Sequence, residues 1–356
     1  MKKSLLALAL FGAFAGVAHA QSSVTIYGVV DAGFVKRTEQ TLAIGKRANN
    51  QLGFKGTEDL GSGLKALFQL EIRYEPDSGT IEQGAGGIQR PLFQGQSRVG
   101  LQGDFGMIRL GRGLTAFQET STQFEPFHGL PTPAGFQTDL TVAGYTSDPL
   151  SPAGNSTNRF SNALFYNSPE VNGFQLNTTI GTKEANGGVA VVGRGTAALP
   201  QYAANAEASA NPYSITGTYK NGPMAAMVAL ERNAIESRLY SIAGSVWTTP
   251  ELKLMLSVQR QNQDHNKLTN TKTKSWVLGA NYTMGAGKFL AGYGQKTPDG
   301  AVKTKQLSVG YEYSLSKRTY LYTDLSNKKG QTGINNSAGV LNPSINTYAV
   351  GVNHSF

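Results

Sequence analysis

Histidines, serines and charged residues are the side chains here that could carry chemistry, and their spacing argues against catalysis. After the first twenty residues only His128, His265 and His354 remain, far apart and in no metal-ligand spacing. None lies in a serine-bearing motif such as G-x-S-x-G, although pairing with a distant serine in space stays open. The "GSG" at 61–63 joins two predicted strands with no helix after it, which indicates a turn rather than a phosphate-binding loop. No catalytic residue, cofactor or metal site is predicted.

The charged residues are instead arranged by parity. In "GLKALFQLEIRYEP", Gly63 to Pro76, the even positions are apolar or aromatic, and the odd positions carry most of the charge: Lys65, Glu71, Arg73 and Glu75, with Leu67 as an apolar exception. A period of two indicates an extended strand with two different faces. Because a lipid-facing Arg or Lys costs about 2–4 kcal/mol in a membrane barrel, this pattern favours a strand between hydrocarbon and a wet interior.

The first twenty residues are typical of a secretory signal peptide. They contain Lys2 and Lys3, an apolar run from Leu5 to Val17, and a small-x-small ending at Ala18-His19-Ala20. A buried N-terminal helix is the alternative. The predicted organisation is therefore a signal peptide over 1–20 and a single barrel over 21–356, exported from the cytoplasm.

Composition narrows the class further. Without Lys2 and Lys3, 30 of the 32 basic residues remain against 23 acidic ones, a net charge of +7, and there is no cysteine. The basic residues are scattered, which disfavours nucleic acid and leaves anionic lipid or anionic solutes as partners. No second apolar run approaches the roughly 18 residues of a membrane helix, so a membrane form must be built from strands.

Alternating segments recur along the whole chain, about sixteen of roughly ten residues each. Tight turns at 60–63, 103–106, 168–173, 221–223, 248–251, 284–287 and 315–318 alternate with mostly longer polar connections. In an up-and-down meander this places all tight turns on one rim, as in an outer-membrane barrel and unlike a soluble Greek-key sandwich. The predicted fold class is all-β, a 16-stranded antiparallel transmembrane β-barrel.

Several motifs resemble general trimeric porins of Gram-negative bacteria, particularly betaproteobacterial ones. They are "SSVTIYGVVDAGF", "GFKGTEDLGSGLKALFQLE", "VGLQGDFGMIRLGR", "NALFYNSPEVNGF", "YSLSKRTYLY" and "VGVNHSF". The resemblance implies a homotrimer that passes small hydrophilic solutes, with the third long loop, from Gly113 to about Asn158, folded inward as a constriction. The chain departs from the family at Gln51 and Gly95, where arginines are frequent, and at Arg73 and Arg98, where uncharged residues are more frequent.

The candidate pore-lining wall residues are Lys55, Glu71, Arg73, Arg109 and Arg159, all weighed against ordinary solvated charges. Lys55 shares its parity with Gln51 and Gly53, and Arg159 is placed opposite Phe160, Leu164 and Tyr166. The resemblance matches Arg159 to the family's wall arginine. Arg98 and Arg112 lie in early strands that form the trimer interface in the family, so each is open between pore and interface, with Arg112 the interface candidate.

The inward loop supplies acids at Glu119, Glu125 and Asp139, with Phe124, Phe127 and Phe136 as candidate anchors. Glu125 in "FEPFHG" is the first choice for an acid that faces the basic wall. Opposed charges across a narrow pore would set an ion preference. The C-terminal Phe356 resembles the signal by which barrel-assembly machinery recognises outer-membrane proteins.

The sequence thus predicts a diffusion porin of the outer membrane that is weakly anion-selective, in contact with lipid and with small solutes. Three alternatives stay open: a substrate-preferring channel with a site at the constriction loop, an outer-membrane hydrolase, and an exported soluble β-protein that binds an anionic polymer. Heat-modifiable mobility separates a barrel from a soluble sandwich, and liposome swelling separates a channel from an enzyme.

Overall fold

The computed structural model describes residues 23–83, 90–130, 132, 134–149, 158–182, 190–191, 202–203, 210–262, 272–330 and 343–356. The predicted signal peptide over 1–20 lies outside these residues. Within these ranges no helix has the length and apolar character needed to cross a membrane.

Sixteen long antiparallel strands form one closed sheet, as predicted. Their hydrogen-bonded order follows the chain and returns from the last strand to the first. The strands are β1 (Ser23–Arg37), β3 (Gln51–Gly61), β4 (Leu64–Arg73), β5 (Gln96–Gly103), β6 (Gly106–Leu114), β7 (Arg159–Asn167), β8 (Phe174–Gly181), β11 (Tyr213–Asn221), β12 (Met224–Arg232), β13 (Arg238–Trp247), β14 (Leu252–Asn262), β15 (Lys272–Met284), β16 (Gly287–Pro298), β17 (Thr304–Ser314), β18 (Thr319–Lys329) and β19 (Ser344–Ser355). Three short strands complete the set, β2 (Ala43–Gly45), β9 (Ala190–Val191) and β10 (Tyr202–Ala203).

The two faces of the sheet differ as the period of two predicts. On β11 to β14 most of the outward side chains are apolar and exposed, with Val228 at 61% and Ile242 at 65% exposed. Their neighbours on the inner face, such as Ser214, Thr216 and Gln259, are polar and buried inside the chain. An apolar exterior around a polar interior is the arrangement of a membrane barrel with a wet lumen.

One rim carries only tight turns, because β3–β4, β5–β6, β7–β8, β11–β12, β13–β14, β15–β16 and β17–β18 are all joined by short connections. Gly222 and Gly285 take positive φ of 52° and 59° in two of them, which a glycine adopts without steric cost. The other rim carries the longer connections, with two exceptions. Residues 233–237 between β12 and β13 and residues 299–303 between β16 and β17 are as short as a turn, so connection length alone does not distinguish the rims everywhere.

The barrel closes through β1, which changes partner along its length. Its first half pairs with β3 and its second half with β19. At the crossover, Gly28 and Phe356 exchange backbone hydrogen bonds of 3.2 and 3.1 Å. A Cβ on Gly28 would lie 2.5 Å from the Phe356 ring, so glycine is required there for the terminal ring to pack against β1.

Candidate functional site: a charged constriction inside the barrel

The described residues of the connection after β6, 115–130, 132, 134–149 and 158, fold into the lumen. The connection begins with the helix α1 (Ala116–Ser121) and a 3₁₀ turn (Thr122–Phe124), and Thr115 caps the helix. Thr115 Oγ1 donates to Glu231 Oε2 at 2.6 Å, and the amides of Ala116 and Phe117 donate to hydroxyls on β8 and β11 at 3.0 Å. The loop therefore leaves β6 and is tied at once to the inner faces of β8, β11 and β12.

Aromatic residues pack the described residues after α1 against the inner face of β12, β13, β15 and β16. Phe124 packs in a cluster with Met227 and Leu239, and Phe127 and Phe136 pack with Val277 and Leu290. The three phenylalanines that the sequence nominated as anchors are each at most 1% exposed. Burial of one such ring contributes roughly 1.5–3 kcal/mol, so the position of the loop is set by apolar packing.

Asp139 joins the loop to the wall through charge. Its carboxylate forms ion pairs with Lys296 and with Lys328, the latter at 2.6 Å. Burial alone would raise the pKa of Asp139, but the two lysines outweigh it and hold that pKa below its usual range. The sequence predicts Asp139 as a pore-facing acid, and the structure shows it in ion pairs with two lysines of the wall.

Glu125 lies inside the loop rather than towards the basic wall. It is 1% exposed, and its carboxylate oxygens accept the amides of Gly129 at 2.7 Å and Phe136 at 3.0 Å. Glu125, which the sequence analysis placed opposite the basic wall, therefore stabilises a turn of the loop instead. The prediction failed because local backbone geometry, and not strand parity, sets the direction of a side chain in a loop. Burial raises the pKa of Glu125 to about 7, against the lowering effect of these amides.

The buried carboxyl of Glu125 should make stability depend on pH. Its pKa is raised from 4.5 to about 7 on folding, so its stabilising contribution is complete below pH 4.5 and is lost as pH rises through 7. The contribution of Glu125 to the unfolding free energy should fall by roughly 3 kcal/mol over this window. It is measured as the difference between the parent and Glu125→Gln in denaturant titrations at several pH values, because His128, whose pKa is lowered by burial to about 4, changes stability in the opposite direction over the same range.

Glu125→Gln should remove this contribution and so change the slope of stability against pH, whatever its effect at one pH. Asp139→Asn is the matched control in the same loop, because the pKa of Asp139 lies below the window and its loss leaves the slope intact. An unchanged slope in Glu125→Gln would contradict the assignment.

Glu119 on α1 is the loop acid that meets the basic wall. Its Oε1 lies 2.7 Å from Arg98 Nη1, and its Oε2 lies 3.1 Å from Arg109 Nη2. Both arginines also lie within 6 Å of the Phe165 ring, so they share the inner face of β5 to β7. Burial would raise the pKa of Glu119, but Arg109 and Arg98 hold it below its ordinary value. Arg98, left open by the sequence, lies on the lumen side.

A second charged group lies beside this one on β3 and β4. Glu71 Oε1 is 2.9 Å from Arg73 Nη2, and its Oε2 accepts the Tyr27 hydroxyl at 3.2 Å. The Nζ atom of Lys55 lies 5.2 Å from the centre of the Tyr27 ring, and Lys55 is exposed. A Cβ at Gly95 would be 2.4 Å from Glu71 Oε1, so the glycine at this position leaves space for the carboxylate.

Arg159 and Arg112 lie where β6 and β7 meet the segment around residue 95. Arg159 Nε donates to the Gly95 carbonyl at 2.7 Å, whereas Arg112 donates to the Gln94 carbonyl at 3.0 Å and the Ser161 hydroxyl at 2.7 Å. The predicted orientation of Phe160 is wrong. The β6–β7 register shifts between Gly111 and Gly113, and this bulge turns Phe160 inward, against Ala163 and Phe165.

A buried network around Arg47 was not predicted. The segment after β2 turns into the barrel, where Arg47 pairs with Glu312 at 2.6 Å and Asp324 at 2.9 Å, and its amide donates to Asp31 at 2.6 Å. Its guanidinium also lies 5.1 Å from the Tyr322 ring. The sequence did contain a signal for this network, because Asp31, Glu312 and Asp324 lie at inward positions of β1, β17 and β18. Closure of the barrel brings these three acids together, and buried acids require a cation.

Across the part of the chain that the structure describes, no group of acidic residues, histidine and cysteine is arranged to hold a metal ion. The described lumen instead presents fixed charges of both signs on two facing surfaces, the wall of β3 to β7 and the inward loop. Such an arrangement can orient and sort dissolved ions.

Comparisons with known proteins agree with this geometry. The family description "Gram-negative porin" matches residues 5–333. The chain belongs to this family. Family members are channels rather than enzymes, and this porin is an outer-membrane channel. Outer membrane porin protein 32 of Delftia acidovorans is 31% identical over 92% of this chain and 89% of its own. An outer membrane porin protein of Bordetella pertussis is 27% identical over the full length of both.

Solved structures resemble the porin over nearly all of its length. An anion-selective porin from Comamonas acidovorans superposes with a TM-score of 0.74 at 26% identity, over 94% of this chain and all of that one. OmpT of Vibrio cholerae, in a trimer form, gives 0.66 at 13% identity over 94% of this chain and 99% of its own. The second likeness shows the fold alone, a barrel of the same architecture.

Proposed function

We propose that this porin passes small hydrophilic solutes and ions by passive diffusion, with a weak preference for anions. The observation that supports the preference is the charge of the wall facing α1. Five basic side chains contribute to it, Lys55, Arg73, Arg98, Arg109 and Arg159, against the carboxylates of Glu71 and Glu119. The similarity to a structure described as an anion-selective porin adds support.

Proximity makes these charges effective. Two unit charges 4 Å apart interact by roughly 4 kcal/mol at the effective dielectric near a protein surface, whereas exposed charges are screened within about 8–10 Å at ordinary salt. An ion that passes through the lumen close to α1 and this wall is near enough to be influenced by the excess of basic charge, and charges on the outer rims contribute little.

Reversal potentials across a salt gradient test this proposal. The parent should prefer anions, and Lys55→Gln and Arg159→Ala should each shift the potential towards zero, by roughly twofold or more in the anion-to-cation permeability ratio. Lys317→Gln in the tight β17–β18 turn is the matched control, since it removes the same charge at an exposed rim position. Cation preference in the parent, or equal shifts in the control, would reject the basic wall.

A channel with a preferred solute is a second candidate. A hollow of about 220 Å³ lies against Lys55, Gln69, Arg98 and Arg109, a lining that suits a small anion. Conductance that saturates with one anion and stays linear in chloride would favour this candidate over general diffusion.

The assembly and maturation of the chain follow the same proposal. Residues 1–20 are removed on export, residues 21–356 form the barrel, and Phe356 provides the signal to the assembly machinery. Three chains associate, with Arg112 a candidate at the subunit interface, and the trimer form of the Vibrio cholerae structure supports this state. Closure of single channels in three steps in a planar bilayer is the expected result, and a single step would count against it.

A further inference from the structure

The side chain of Tyr27 reaches across a neighbouring strand on the inner face of the barrel. The register sets Tyr27 on β1 opposite Gly53 on β3, and Gly53 opposite Glu71 on β4. A Cβ at Gly53 would lie 2.2 Å from Cζ of the Tyr27 ring, so this glycine leaves the space in which the ring lies. The Tyr27 hydroxyl therefore passes β3 and donates to Glu71 Oε2 at 3.2 Å.

The Tyr27 hydroxyl also belongs to a chain of hydrogen bonds that begins on β5. Arg98 Nη2 donates to Gln69 Oε1 at 2.8 Å, and Gln69 Nε2 donates to the Tyr27 hydroxyl at 2.7 Å. Gln69 and Arg98 lie directly opposite each other on β4 and β5. An unbroken chain thus leads from a guanidinium to a carboxylate, through Arg98, Gln69, Tyr27 and Glu71.

Only one arrangement of hydrogens satisfies this chain. A guanidinium can only donate hydrogen bonds, and an ionised carboxylate can only accept them. Arg98 therefore requires the amide oxygen of Gln69, which directs the amide nitrogen of Gln69 to Tyr27. The Tyr27 hydroxyl must then donate to Glu71. All of these hydrogen bonds point the same way, and hydrogen bonds aligned in this manner polarise and strengthen one another.

Each end of this chain belongs to one of the two charged groups of the constriction. Arg98 pairs with Glu119 of α1 at 2.7 Å, and Glu71 pairs with Arg73 at 2.9 Å. The chain is therefore a continuous polar connection between the inward loop and the wall of β3 and β4. Its bonds run from the cation to the carboxylate, so the charges at the two ends favour the same direction of the dipoles between them.

We infer that Tyr27 and Gln69 are positioning residues that couple Glu71 on the wall to Glu119 on the loop. The inference rests on the proposed ion preference, because it concerns the residues that determine that preference. Neither Tyr27 nor Gln69 carries a charge, so counting the charges of the wall does not single them out. Through them the two charged groups act on passing ions as one unit, and the effect of changing one acid depends on the other.

A double-mutant cycle in the reversal potential tests this coupling. Glu71→Gln and Glu119→Gln each remove one charge and keep the shape of the side chain. Their combined effect on the anion-to-cation permeability ratio should differ from the product of the single effects by roughly twofold or more. In a Tyr27→Phe background this difference should fall by roughly half or more, because phenylalanine keeps the ring and removes only the hydroxyl. Gln69→Met, which interrupts the chain one bond earlier, should reduce the difference equally.

The matched control is Tyr74→Phe, because the Tyr74 hydroxyl donates to the Val29 carbonyl at 3.3 Å and takes no part in the chain. Folding of every variant is verified by heat-modifiable mobility. Independent effects of the two acids in the parent, an unchanged coupling in Tyr27→Phe or Gln69→Met, or an equal loss in Tyr74→Phe would overturn the inference. The proposed function fails separately, since a parent that prefers cations still gives a measurable cycle.

Discussion

Arg47→Met should lower the free energy of unfolding by about 3–5 kcal/mol, the largest stability effect expected in this chain. The guanidinium is fully buried between Glu312 and Asp324. Its removal leaves the buried Asp324 without this counter-charge and leaves Glu312 with the partly exposed Lys288 at 3.5 Å. Burial alone would lower the pKa of Arg47, but these acids raise it above its ordinary value, so the arginine stays charged. Denaturant unfolding in detergent provides the measurement.

Two further variants make this result specific. Combining Arg47→Met with Glu312→Gln and Asp324→Asn should restore most of the lost stability, because the uncompensated charges are gone. Lys46→Met is the neighbouring control, since its ion pairs with Glu75 and Glu82 are partly exposed and are worth at most about 1 kcal/mol. Equal losses of stability in Arg47→Met and Lys46→Met would show that the buried network contributes no more than a partly exposed ion pair.

Glu119→Gln should produce the largest change in ion preference, raising the anion-to-cation permeability ratio by up to about tenfold. The substitution removes a carboxylate that lies within 3.5 Å of both Arg98 and Arg109, and both guanidinium charges then act on passing ions. The measurement is the reversal potential across a salt gradient, with single-channel conductance recorded on the same channels.

Asp104→Asn is the control for this effect. It removes the same charge from the exposed β5–β6 turn, where screening limits its influence on the constriction. A reversal potential in Glu119→Gln that matches the Asp104→Asn value would show that the acid on α1 does not shape the field. A shift towards cations would contradict the proposed wall outright.

Prediction from sequence succeeded wherever one local rule decides the structure. Along β4, period-two alternation identified both faces, because lipid rejects charge at every outward position. The tight turns were equally readable from their glycines, prolines and asparagines. The same rule located Lys55 and Glu71 on the inner face, where Tyr27 contacts both of them.

The failures occur where strand parity does not decide the orientation of a side chain: at a break in the alternation, inside a loop, or where the deciding contact is distant in sequence. One bulge in β7 reversed the orientation of Phe160. Glu125 was assigned to the pore, but the turn of the loop directs its carboxylate to two backbone amides. Arg47 was passed over as part of an outer loop, because its acids on β17 and β18 are 265 and 277 residues away.

The division of β1 between two partners also determines when the chain can fold. Asn353 of β19 bonds Asp31 of β1 across 322 residues, so the seam forms only after the whole chain has been made and delivered. Pairings over such separations are slow to form, and until then β1 and the latest strand present open edges that invite aggregation. The chain should therefore complete its barrel in one late step, and loss of the final strand should abolish folding rather than slow it.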